Sequence, residues 1–380
     1  MKHPHQFTTR ILLAVSGLSP QILTETLYGL TVTTNTPFIP TEIHLITTIE
    51  GAHRAKLDLL HQDTGKFLAF CEEYQMPDIQ FNESNIHIIT DQAGQYLDDI
   101  RNPEQNEAAA DFITRMVSKL TQNTDAAIHV SIAGGRKTMG YYLGYALSLF
   151  GRTQDRLSHV LVSDGYEGHP DFYYPSKKSR VIYTRDNRPL DTQAAKIALA
   201  EIPFVRLRND IPENLLRGTA GFLETITLAR KAELPPELII DVATKKLSAN
   251  GIVYTLPDIL LAFYCWVIKQ TLTKQCILYK PNDMEANPDY ARQFIKEYRM
   301  IAGEMRDTDK TQQGLKSGMD SNFFAEKITR INNKLESVLG KKLATLYKIQ
   351  SSGLRGSLQY ATGLTDVHIH FKPIHQQEIK

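Results

Sequence analysis

The sequence predicts an α/β protein: a Rossmann-like, largely parallel sheet over the first half, followed by a smaller α+β unit. Three observations predict it. Apolar, β-branched runs alternate with segments of helical periodicity from Arg10 to Thr184, the rhythm of strands joined by crossover helices. Pro235 and Pro236 then interrupt the chain. Beyond them the alternation gives way to two short strands, three long helical segments and a closing strand pair. A chain of 380 residues with 42% hydrophobic content carries enough apolar material for two cores.

The elements follow in order. "RILLAVSG" is a continuous aliphatic run and reads as a strand. In "LSPQILTETLYGLTV" the spacing of Ile22, Leu23, Leu27 and Leu30 is helical, with Ser19 as N-cap and Pro20 as first helical residue. Next come a strand "EIHLITTIE", one helix from about Arg54 to Tyr74, a strand "NIHIIT", and a helix from about Asn106 to Thr121. "AIHVSIAGG" is a strand, Lys137–Phe150 a helix, "LSHVLVSD" a strand and "SRVIYT" a short one. This first domain spans residues 1–190, and 191–235 reads as a helical linker with a helix from about Pro212 to Lys231. The second domain, 236–380, begins with two strands around Ala249-Asn250-Gly251, a hairpin signal. Helices over 256–272, 288–305 and 321–340 follow, then strand, Ser-Gly turn and strand to about Leu364. The segment 306–321 between the last two helices reads as a flexible linker.

In open parallel sheets, ligands bind beyond the carboxyl ends of the strands. Two such ends carry chemistry here. Ser16, Gly17, Leu18 and Ser19 follow the first strand and offer hydroxyls and a helix N-terminus to an anion, although the same residues also read as an ordinary capped turn. Gly134 and Gly135 let the backbone approach a ligand, Arg136 and Lys137 supply charge-assisted donors suited to phosphate, and Thr138 adds a hydroxyl. Neither GxGxxG nor GxxxxGK[ST] is present, so no dinucleotide or P-loop cofactor is expected. Cys71, Cys265 and Cys276 lie far apart, and no HExxH or other ligand spacing occurs, so no metal is expected and the compartment is expected to be reducing. His368 and His370 alternate on one expected strand without a third ligand.

"LLAVSGLSPQILTETLYGL", followed more than a hundred residues later by "SIAGGRKTMGYYLGYAL", resembles the CARF domains of CRISPR type III accessory proteins, in particular the branch related to ring nucleases. The likeness covers about residues 8–185. It implies a homodimer that binds a cyclic oligoadenylate in a groove across its two-fold axis, with both loops lining the groove. Ser16 matches the small hydroxyl residue after the first strand, and Lys137 the basic residue ring nucleases use. Arg136 stands where many relatives carry a threonine, which leaves its role open. The implied reaction needs no metal, because a ribose 2′-OH held in line attacks its own phosphate. Lys137 and nearby N–H groups would stabilise the charged phosphorane, while Ser16 orients the phosphate or the attacking hydroxyl. His169, in the aromatic loop "SDGYEGHPDFYYP", is a candidate acid, base or adenine contact as well as a solvated loop residue, and that loop is a candidate lid.

The second half, about 236–372, resembles by pattern a winged-helix domain of the kind fused to response regulators. That implies a third helix presenting Lys327, Arg330, Asn332, Asn333 and Lys334 to double-stranded DNA, with Ile328, Ile331 and Leu335 inward and Arg355 in the wing. Many winged helices instead serve protein contacts. Residues 1–200 carry 18 Lys/Arg against 22 Asp/Glu and residues 201–380 carry 25 against 20, a split that suggests a local patch for any polyanion partner of the second half and reads equally as an ordinary surface fluctuation. Met1–Arg10 is polar, and the longest apolar-rich segment, Ile259–Ile268, falls short of the ~20 residues a membrane helix needs. A cytoplasmic protein without a membrane partner is expected. The leading expectation is a ring nuclease acting on cyclic tetra-adenylate. The alternative is a regulator that senses the ring without cutting it.

Overall fold

The computed structural model describes residues 2–212, 215–217, 221–231, 234–272, 278–282, 285–303, 309–353 and 358–372. The chain divides into two compact units, Met1–Arg208 with Leu215–Thr225, and Asn209–Asn214 with Ile226–Lys380.

The first unit is a mixed α/β unit around a mostly parallel sheet. Its elements run β1 (Thr9–Val15), α1 (Ile22–Thr31), β2 (Glu42–Thr47), α2 (Ile49–Leu60), α3 (Lys66–Tyr74), β3 (Ile86–Ile88), α4 (Pro103–Leu120), β4 (Ala126–Ser131), α5 (Lys137–Phe150), β5 (Arg156–Val162), β6 (Val181–Tyr183), β7 (Pro189–Asp191) and β8 (Ile197–Glu201). The sheet order is β3-β2-β1-β4-β5-β8. The first five strands are parallel, and β8 closes the edge antiparallel to β5. Strand order reverses between β1 and β4, so the carboxyl ends of these two strands form the switch point where α/β sheets bind ligands. Both are buried: every residue of β4 and the stretch Ile11–Val15 of β1 is shielded from solvent, as expected for strands covered on two faces.

Local signals explain most of these elements. Asn102 accepts from the Gln105 N–H and Pro103 takes the first helical position, which starts α4. The expected single helix over 54–74 is two helices. Gly65 marks the break, where an added Cβ would stand 2.5 Å from the carbonyl oxygens of Leu59 and His61. α1 starts at Ile22 rather than Pro20, and its cap residue is Gln21, so Ser19 does not cap it. The short strand expected at 179–184 is β6, and it pairs with β7 in a separate hairpin. The stretch 191–235 is not a plain helical linker, since it supplies β8, whose five residues pair with Ser158–Val162.

In the second unit, β9 (Leu238–Asp241), β10 (Lys246–Ala249) and β11 (Ile252–Thr255) form an antiparallel meander, preceded by α6 (Phe222–Lys231), which begins in the first unit. Asn250 and Gly251 both have positive φ, 46° and 72°, the requirement of the tight type I′ turn that Asn-Gly favours. α7 (Asp258–Leu272) is buried throughout Leu260–Ile268. β12 (Leu278–Tyr279), α8 (Pro288–Ala302), α9 (Asp309–Gly314), α10 (Ser321–Tyr347), β13 (Ile349–Ser352), β14 (Gln359–Thr362) and β15 (Ile369–Lys372) complete it. α9 lies in the segment expected to be a flexible linker. β15 pairs parallel with β9, and β12-β14-β13 form a three-stranded sheet. His368 belongs to a short turn before β15, so it does not share a strand with His370.

α10 turns Ile328, Ile331 and Leu335 inward as its periodicity requires. The expected basic face is smaller than the sequence suggests. Lys327 is 6% exposed, with its ammonium 4.5 Å from the Phe323 ring centroid and 2.9 Å from Glu326 Oε2. Asn332 accepts from the Ile349 N–H and donates to the Ile349 carbonyl, so it ties α10 to β13. Arg330 pairs with Glu326 at 3.1 Å, which leaves Asn333 and Lys334 exposed without an ion pair among the described residues. Arg355 and Cys276 lie outside the described residues. No helix among the described residues is long and apolar enough to cross a membrane.

Candidate functional site

The two loops singled out by their chemistry meet at the switch point. A Cβ added to Gly17 would stand 3.7 Å from Gly135 Cα, so the loop after β1 and the loop after β4 run side by side. Gly134 is where the backbones come closest. An added Cβ there would lie 2.6 Å from the Val15 carbonyl oxygen and 2.8 Å from Ile22 Cγ1. Gly135 has φ 77°, the left-handed region that glycine adopts freely. The chain turns there into α5, which opens with no side-chain cap at Arg136. α1 likewise has no side-chain cap at Gln21. Two helix N-termini with first-turn N–H groups unclaimed by cap side chains thus converge, an arrangement that attracts anions.

Beneath the loops is a pocket of about 280 Å³. Gly17, Leu18 and Ser19 line it from the first loop, Ala133–Gly135 from the second, Gln21, Ile22 and Glu25 from α1, His159 from β5, and Glu167 and Gly168 from the loop that follows β5. Leu18 and Ser19 are exposed, as are Lys137 and Thr138 at the start of α5.

The two cations of the second loop are not equivalent. Arg136 Nε lies 3.1 Å from Asp99 Oδ1, and its Nη2 pairs with Asp99 Oδ2. This contact, with a further one from Arg101, holds the Asp99 carboxyl well below the usual carboxylate range. Arg136 is therefore already spoken for by a carboxylate 37 positions earlier in the chain. Lys137 makes no ion pair among the described residues, and it is the free cation of the loop.

Two expected site residues sit elsewhere. Ser16 is fully buried. Its N–H donates to the Ile46 carbonyl, its own carbonyl accepts from Thr47 Oγ1, and its hydroxyl has no hydrogen-bond partner among the described residues. It does not line the pocket, and the hydroxyl exposed in this loop is that of Ser19. His169 is committed to its own loop: the Asp171 N–H donates to Nδ1, so Nε2 carries the proton and donates to the Tyr183 carbonyl at 2.9 Å. That loop is an anchored layer rather than a lid, because Tyr166, Phe172, Tyr173 and Tyr174 are buried and the Tyr173 carbonyl accepts from Thr24 Oγ1 on α1 at 2.7 Å.

The residue that the sequence does not reveal is Glu25. It stands in the first turn of α1, where the helix dipole favours a carboxylate, yet it is 3% exposed and its Oε1 has no hydrogen-bond partner among the described residues. Burial, with a smaller push from the Glu167 carboxylate, raises its pKa from 4.5 to about 8. Only an acidic residue among "ILTETL" hints at it, since in a helix buried on nearly every side an ionisable group has no surface to occupy.

The raised value predicts a pH-dependent stability. The folded protein holds this proton more tightly than the unfolded chain, so the contribution is complete below 4.5 and is lost as pH rises to about 8. Glu25→Gln, neutral in both states, is expected to raise Tm by about 5 °C or more at pH 9 and by much less at pH 5, as read by circular dichroism. Equal shifts at the two pH values would show that Glu25 is not held neutral.

The model of the family described as CRISPR-associated protein NE0113 (Cas_NE0113) matches residues 19–230, which takes in α1 with Glu25 and the whole Gly134–Lys137 loop. No curated protein matches the chain. With more than half of its 380 residues matched, including the larger part of the switch-point site, the chain belongs to this CRISPR-associated family.

Proposed function

We propose that this protein binds a cyclic oligoadenylate, with cyclic tetra-adenylate as the ring, in a groove formed by two copies of the first unit, and opens it as a metal-independent ring nuclease of type III CRISPR defence. The observation that carries the reading is the meeting of the Gly17 and Gly135 loops at the switch point, with Lys137 exposed beside an uncapped helix N-terminus. The resemblance to CARF domains and the CRISPR-associated family support the same ligand class. A pocket of about 280 Å³ suits a single nucleotide, so a ring of four fits one copy only in part, which favours a two-fold assembly.

The chemistry asked of the protein is positioning and charge stabilisation. The ribose 2′-OH attacks the adjacent phosphorus, the bond from phosphorus to the 5′ oxygen breaks, and the products are a 2′,3′-cyclic phosphate and a 5′-hydroxyl. The 2′ proton leaves to solvent and the leaving 5′ oxygen takes one from solvent. Lys137 and the first N–H groups of α5 offset the charge that builds on the phosphorane oxygens. Lys137 takes this role, and the buried Ser16 takes none.

Incubating the protein with cyclic tetra-adenylate in EDTA is expected to yield shorter linear adenylates ending in a cyclic phosphate. Tight binding with the ring intact after long incubation would leave a sensor in place of a nuclease. No detectable binding would remove both. The winged-helix reading of the second unit has weaker support, since Lys327 and Asn332 are used internally and Arg330 is paired.

A further inference from the structure

We propose that the pocket beneath the two loops takes one adenine base, and that Glu25 reads it, its carboxyl group donating to a ring nitrogen and accepting from the exocyclic amine. The inference rests on the ring-binding reading above and names the residue that recognises the base.

Three observations converge on it. The pocket of about 280 Å³ lies under the loops proposed to hold the phosphates, so a base attached to a phosphate held there has this cavity within reach. Glu25 lines it, and its buried Oε1 has no hydrogen-bond partner among the described residues, a costly state that a ligand group would relieve. The environment also keeps the carboxyl protonated at neutral pH. An ionised carboxylate only accepts, whereas adenine presents on either polar edge a ring nitrogen that accepts beside an amine that donates. The neutral acid is the form that complements this pair, one hydrogen bond in each direction. Other residues lining the pocket, Ile22, Val160 and Val162, supply apolar contacts for a ring.

The test measures the affinity of cyclic tetra-adenylate by calorimetry at pH 6.5. Glu25→Ala is expected to bind about 10-fold or more weakly than wild type, the scale of one bidentate base contact. Glu25→Gln retains a donor and an acceptor in the same place, and its affinity is expected to stay within about threefold of wild type. Rings built with 1-deaza-adenine or 7-deaza-adenine lack one ring acceptor each. One of the two is expected to weaken wild type to the level of Glu25→Ala while leaving Glu25→Ala itself unchanged. Raising the pH to 9.5 is expected to weaken wild type and spare Glu25→Gln. The other titratable groups lining the pocket, Glu167 and His159, are common to both proteins, as are Arg136 and Lys137 in the loop above.

A wild type that binds no ring overturns the ring-binding reading and this inference with it. A wild type that binds the ring while Glu25→Ala binds equally well leaves that reading standing and overturns the role of Glu25. A Glu25→Gln variant as weak as Glu25→Ala, with a native circular dichroism spectrum, also overturns recognition by a neutral carboxyl.

Discussion

Lys137→Ala is expected to slow ring opening by about 100-fold or more, as for the loss of one preorganised donor at a developing oxyanion, while ring affinity falls by about tenfold or less. The asymmetry follows from where the ammonium sits. Lys137 is the first residue of α5, exposed and unpaired among the described residues, and the N–H groups behind it lack a side-chain cap. On the proposed reading, the Gly134–Gly135 backbone and the loop at Gly17–Ser19 would also hold a phosphate in the ground state. The extra charge of the phosphorane appears only in the transition state, and a free cation responds to it most. Arg136 is expected to substitute poorly, because it is paired with Asp99. The measurement is a dissociation constant and a single-turnover rate on one preparation. A folded variant that opens the ring at the wild-type rate would return Lys137 to being a helix's first residue and nothing more.

Gly134→Val is expected to lower ring affinity by about 30-fold or more and Tm by several degrees, from an overpacking cost of about 1–3 kcal/mol. The added Cβ would meet the Val15 carbonyl oxygen at 2.6 Å. Val15 ends β1 and stays in register with Ile46 of β2, which restrains that oxygen. The loop must give instead, and it carries Gly135 and Lys137 with it. Gly144→Ala is the contrasting substitution. Its Cβ meets only Leu157 Cδ2, at an ordinary 3.6 Å, inside α5, where alanine gains about 0.5–1 kcal/mol over glycine. Its Tm is expected to hold or rise. Ring binding by Gly134→Val at wild-type strength would mean the loop is not the phosphate site.

The start of α5 at Lys137, its end at Phe150, the Asn-Gly turn at Asn250–Gly251 and the inward face of α10 were all legible, and each is set by residues within a few positions of one another. Dihedral preference, capping and periodicity are local free energies, so they can be read from the chain in order. The same holds for the two loops, whose glycines and cations announce a turn at the end of a buried strand. That they face one crevice followed from a rule of parallel sheets, and both loops line one pocket.

What the residues do in that crevice was decided by partners distant in sequence. Asp99 reaches Arg136 across 37 positions and takes it out of play. Ile46 and Thr47 draw the Ser16 backbone under the surface. β8 joins the sheet by pairing with β5 some forty residues earlier, a closure that no local propensity encodes. Lys327 lies over Phe323 because the core around α10 encloses that position, one turn before buried Ile331, although the charge of a lysine suggests the outside. Glu25 is the clearest instance. Its place in a first helical turn favours a charged carboxylate, and only the packing around it makes the neutral acid the stable form, because desolvation depends on what surrounds a group in space and not on what precedes it in the chain.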